Sequence, residues 1–94
     1  MFKRADTIWR DPEARKYVWG LGFHWYGDDH YGWGDGHGQR CFDNVARVHE
    51  LWPEVHLMLT EACQEGKVHM GVWSPAERYA ESMISDFNNW AEAW

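Results

Sequence analysis

The stretch VHLMLTEACQEG, residues 55–66, carries an apolar run into a carboxylate, Glu61, followed by two small residues and a turn. Desolvating a charged group is costly, so such a run either surfaces at Glu61 or delivers a catalytic carboxylate. A second concentration of chemistry closes the run YVWGLGFHWYG, where His24, Trp25 and Tyr26 stand together. If that run is a strand, alternation sets His24 and Tyr26 on one face and Phe23 and Trp25 on the other, with Gly20 and Gly22 leaving space on the first. By position alone, His24 reads either as a hydrogen-bonded core histidine or as a ligand contact.

Two further groups of residues invite chemistry and are set aside. His24, Asp28, Asp29, His30, Asp35 and His37 crowd one region, but there is no HExxH and no Cys/His pairing at zinc spacing. The segment reads as a solvated Gly/Asp loop, and neither a metal nor a cofactor is expected. Cys63 has no His/Asn pattern that would make it a nucleophile, so it reads as a buried thiol.

The elements that must position these residues follow from spacing. Phe2, Ala5, Ile8 and Trp9 fall at helical intervals, and DPEA offers Asp11 as an N-cap with Pro12 behind it. Two short helical pieces, or one broken helix, are predicted before residue 18, then the aromatic strand. Residues 27–39 hold five of the nine glycines and no period, which predicts a long loop whose Tyr31 and Trp33 either face a ligand or pack beneath it. FDNVARVHELWP predicts a helix capped by Asp43, with Val45, Val48, Leu51 and Trp52 on its inner face and Pro53 as its stop. VHLMLTE is the second strand. SPAERYAESMISDFNNWAEAW predicts a final helix opened by a capping box of Ser74 and Glu77. Its expected apolar face is Tyr79, Met83, Ile84, Phe87, Trp90, Ala91 and Trp94, running to the last residue.

Strands separated by helical crossovers pair in parallel, and parallel sheets are normally covered on both faces. Two parallel strands are not a finished sheet, so residues 1–94 are expected to be a slice of a larger α/β protein, with a (β/α) barrel as the favoured whole. In that architecture the active site lies at the C-terminal ends of the strands, where Glu61 and the His24–Tyr26 segment stand.

Composition narrows the partners. Fifteen acidic against nine basic residues give a net charge of −6, which leaves no electrostatic footprint for nucleic acid or anionic lipid. Eight Trp exceed the needs of a small core and suggest aromatic platforms, with sugar rings as natural ligands. No apolar run reaches the ~20 residues of a membrane span, and two cysteines leave the compartment undetermined.

In three segments, DPEARKYVWGLGFHWYG, LWPEVHLMLTEAC and WSPAERYAESMISDFNNWAEAW, the chain resembles glycoside hydrolase family thirty, the glucosylceramidase-like retaining β-glycosidases. The resemblance covers nearly the whole chain and implies a partial (β/α)8 TIM barrel, with the two strands as its sixth and seventh. It implies that Glu61 is the nucleophile and that His24 and Tyr26, with Trp25, line the site of a β-glucoside or glucosylceramide-like substrate. It also implies an acid/base glutamate in an Asn-Glu-Pro motif, which this chain lacks, so that glutamate is expected upstream and the isolated chain is expected to be inactive. The rival expectations are a small carbohydrate- or protein-binding module without chemistry, or a gene remnant.

Overall fold

In the computed structural model, which describes residues 2–26, 42–64 and 66–94, three helices flank a pair of parallel strands. The elements are α1 (Phe2–Trp9), a 3₁₀ turn (Arg15–Tyr17), β1 (Gly20–His24), α2 (Asp43–Leu51), β2 (His56–Glu61) and α3 (Trp73–Asn88). The expected loop over 27–39, with Tyr31, Trp33 and the loop's His and Asp residues, lies outside the described residues.

α1 buries Ala5 and Trp9 against α2, whose Val45 and Val48 are equally enclosed, as the helical spacing predicts. Asp11 acts as expected at the break after α1: its carboxylate accepts hydrogen bonds from the backbone N–H of Glu13 at 2.8 Å and of Ala14 at 3.3 Å. α2 departs from expectation at both ends. Asp43 is its first helical residue rather than its cap, and the preceding Phe42 makes no side-chain cap bond. Asp43 instead complements the positive end of the helix dipole from within the first turn. Leu51 is half exposed, because α2 ends there and Trp52 turns back to pack its ring 6.3 Å from that of Phe2.

The strands pair in register from Gly20 opposite His56 to Phe23 opposite Leu59. Leu57, Leu59 and Phe23 face the helices and are buried, while Gly22, His24, Met58 and Thr60 look the other way and are exposed. One face of the sheet is therefore core and the other is open. The glycines on the open face are required by close approaches: a Cβ at Gly20 would lie 2.5 Å from the His56 carbonyl oxygen, and one at Gly22 would lie 3.0 Å from Thr60 Cγ2.

α3 overturns three expectations. It begins at Trp73 after an extended Val72, so Ser74 lies inside the first turn and forms no cap. It stops at Asn88 instead of running on, because Trp90 adopts a left-handed backbone (φ 75°) and the chain after it straightens. The buried residues of α3 are also polar: Ser82 and Asp86 point inward, while Met83, Ile84, Phe87 and Trp90 are substantially exposed. Asp86 tolerates burial because it is satisfied, accepting from Trp94 Nε1 at 2.8 Å through its carboxylate and from the N–H of Asn89 and Ala91 through its carbonyl. Past this turn the chain pairs with β2: Glu92 N–H donates to the Leu57 carbonyl at 2.8 Å and Leu59 N–H to the Ala93 carbonyl at 3.0 Å, a parallel bridge on the side of β2 away from β1.

Candidate active site

Strict alternation along β2 would aim Glu61 toward the helices with Leu57 and Leu59. The ladder prevents this by a one-residue irregularity: Phe23 pairs with Leu59, but His24 pairs with Glu61, so Thr60 is passed over. A bulge of this kind re-aims a side chain. Here it brings Glu61 to the open face opposite His24, with the Glu61 carboxylate 3.8 Å from His24 Nε2 and each side chain about half exposed. The displaced Thr60 is held by its own hydroxyl, which donates to the Phe23 carbonyl at 3.3 Å, and its methyl occupies the space that Gly22 leaves.

Tyr26 joins the same face. Its ring meets His24 edge-on, with centroids 5.8 Å apart. Cys63 and Glu61 are the side chains that act on its hydroxyl. The Cys63 contact, burial and then the Glu61 contact together hold the phenol proton well above the ordinary tyrosine range. Neighbours that raise a phenol's pKa favour its protonated form, so the hydroxyl faces them as a donor and not as a phenolate. Cys63 is exposed, contrary to the buried thiol expected.

Trp25 lies elsewhere. It is buried on the helix side, with its ring tilted against that of Tyr79 at 4.6 Å and edge-on to that of Trp94 at 6.1 Å, and the Arg78 guanidinium 4.0 Å over it. Its indole N–H finds no acceptor among the described residues. The open face thus assembles Glu61, His24 and Tyr26, and Trp25 supports them from behind. His24 is not a core histidine. Sequence reasoning did not find Cys63 or Tyr79, whose hydroxyl donates to the Ala62 carbonyl at 3.3 Å. For Cys63 the available signal was its i+2 spacing from Glu61; for Tyr79 there was none. Among the described residues no cluster of His, Cys, Asp and Glu is arranged to hold a metal ion, and no helix is long and apolar enough to cross a membrane.

A carboxylate beside an imidazole and a phenol, at the C-terminal ends of adjacent parallel strands whose far face is sealed by helices, is the arrangement of a (β/α)-barrel enzyme. Sequence comparison is more specific: the glycosyl hydrolase family 30 TIM-barrel domain matches residues 1–94, and the chain belongs to that family. It is 36% identical over 95% of its length to "Putative glucosylceramidase 4" and 37% identical over 96% to "Putative glucosylceramidase 3", both of Caenorhabditis elegans. To "Lysosomal acid glucosylceramidase" of Mus musculus it is 30% identical over 96%. The chain spans 16–17% of the length of these relatives.

Proposed function

We propose that residues 1–94 form the sixth and seventh strands of a family 30 barrel and supply the nucleophile of a retaining β-glycosidase acting on glucosylceramide-like or related β-glucosides. The observation that carries this reading is the placement of Glu61. A bulge turns it to the open face at the end of a parallel strand, where His24 flanks it and Tyr26 packs edge-on against His24. Glu61 attacks the anomeric carbon, and the leaving oxygen takes a proton from a second carboxyl group placed about 5–5.5 Å away on an earlier strand. That second group then activates the water that releases the sugar from Glu61. Tyr26 keeps the attacking oxygen aimed. His24, on the same face, contacts a sugar hydroxyl. The isolated chain, lacking the second carboxyl, is inactive.

Three features support the substrate class: the names of the relatives, the acidic chain and the open, half-polar face. The test is covalent labelling of the full-length glycosidase that contains residues 1–94 with a gluco-configured cyclitol epoxide, followed by peptide mapping. Label is expected on the peptide VHLMLTEACQEGK and is expected to vanish in Glu61→Gln, with turnover reduced by several orders of magnitude. Unchanged labelling of Glu61→Gln removes Glu61 from the mechanism.

A further inference from the structure

Glu61 ends a strand at a bulge, where the ladder is locally disrupted and the backbone needs anchors of another kind. Two successive carbonyls supply them. The Glu61 carbonyl accepts from the Trp25 N–H at 3.4 Å, and the Ala62 carbonyl accepts from the Tyr79 hydroxyl at 3.3 Å. Both donors belong to one cluster of rings on the helix side. Tyr79 lies tilted against Trp25 at 4.6 Å and edge-on to Trp94 at 5.8 Å, and Trp94 is edge-on to Trp25 at 6.1 Å. Trp94 is in turn tied to α3 by its indole N–H, which donates to the Asp86 carboxylate at 2.8 Å. Asp86 stands seven residues after Tyr79, on the same face of the helix.

We propose that Tyr79 is a positioning residue for Glu61: from behind the sheet its hydroxyl sets the Ala62 peptide, and its ring, wedged between Trp25 and Trp94, keeps that hydroxyl in place. Each of the two bonds is long for its type, so neither holds its peptide plane firmly alone. Together they fix consecutive planes, and with them both soft dihedrals of the intervening Ala62. The plane that carries Glu61 can then no longer swivel about the bond from Trp25. Backbone placement matters here because the Glu61 side chain is half exposed, with little packing to select its rotamer. Trp25 also stands next to His24, so the closed circuit from Trp25 through Glu61, Ala62 and Tyr79 back to Trp25 sets the spacing of carboxylate and imidazole, 3.8 Å apart. Tyr79 itself lies behind the sheet and acts only through the chain that bears the nucleophile. The buried Asp86 gains a purpose in the same circuit, since it fixes the ring that closes the wedge on Tyr79.

This inference rests on the glycosidase reading, and its test uses the full-length enzyme, with cyclitol-epoxide labelling resolved into a maximal rate and a half-saturating concentration. Tyr79→Phe keeps the ring and removes the donor. Well below its unfolding midpoint, its kcat and maximal labelling rate are expected to fall about two- to fivefold, the worth of one long hydrogen bond. KM, the half-saturating concentration and the affinity for a non-covalent iminosugar are expected to stay at parental values. A role confined to folding would lower the urea midpoint and leave the folded enzyme labelling at the parental rate. Replacement of Tyr79 by 4-aminophenylalanine, whose amine also donates, is expected to recover most of the loss. A parental labelling rate in Tyr79→Phe, a loss that falls on KM instead, or an amino variant no better than Tyr79→Phe overturns the proposal. Unchanged labelling of Glu61→Gln overturns the glycosidase reading instead, so the two failures are told apart.

Discussion

Replacing Gly22 by alanine is expected to disturb Glu61 without touching it. The new Cβ would lie 3.0 Å from Thr60 Cγ2 and 3.2 Å from Thr60 Oγ1, well inside the ~3.5–4.0 Å of a comfortable carbon contact. Thr60 has little freedom to yield: it is β-branched, its hydroxyl is committed to the Phe23 carbonyl, and it is the residue around which the ladder changes register. Overpacking of this kind costs about 1–3 kcal/mol, and weakening the hydroxyl bond adds about 0.5–1.5 kcal/mol. Any relief of the clash moves Thr60, and Glu61 is the next residue. A displacement of ~1 Å in a reacting group costs up to ~10²-fold, so a shift of a few tenths of an ångström is expected to slow labelling of Glu61 by about three- to tenfold. The assay is the pseudo-first-order rate of cyclitol-epoxide labelling in the full-length glycosidase, read beside the urea midpoint. The double variant Gly22→Ala/Thr60→Ser removes the methyl at 3.0 Å, keeps the hydroxyl, and is expected to recover most of both losses. A Gly22→Ala enzyme with parental midpoint and labelling rate, or a double variant no better than the single, refutes the role given to Thr60.

Two other outcomes are expected. The isolated chain leaves its open sheet face and the Met83, Ile84 and Phe87 side of α3 uncovered, so it should bind hydrophobic dye and melt without a sharp transition; a soluble monomer with a cooperative melt at ~45–65 °C contradicts its being part of a barrel. Because the folded Tyr26 holds its proton more tightly than an unfolded tyrosine, with a value near 10, its contribution to stability is complete below about pH 10 and is lost as pH rises through the higher folded value. In the full-length glycosidase, alkaline titration at 295 nm should therefore show a late phenol that Tyr26→Phe removes, and a Tyr26→Phe titration identical to the parent's contradicts the surroundings assigned to this phenol.

Both strands were legible as apolar runs and their parallel pairing from the helix between them, while the open face was legible in β1, where Gly20, Gly22 and His24 alternate with Leu21 and Phe23. Glu61 was legible as a strand-end carboxylate, but its facing was not, since the bulge at Thr60 depends on how two strands far apart in sequence meet. α3 misled for a different reason. Its apolar stripe is real, yet the face turned to the sheet is the one carrying Ser82 and Asp86, and periodicity assigns the inside to apolar residues by default. The bond from Trp94, eight residues on, helps a carboxylate to be tolerated there. The exposure of Cys63 was equally hidden, because it lies past the end of β2, where no period assigns a side.

The bridge from β2 to Glu92 and Ala93 changes the standing of the strand that carries Glu61. With β1 along one edge and this segment along the other, β2 is an inner strand, and its amide groups are engaged in both directions. Backbone opening propagates from edges, where fewer bonds must break together. Within residues 1–94 the peptide groups of Leu57 to Leu59 are therefore the last to exchange with water. Glu61 is mounted two residues beyond the most persistent stretch of this sheet.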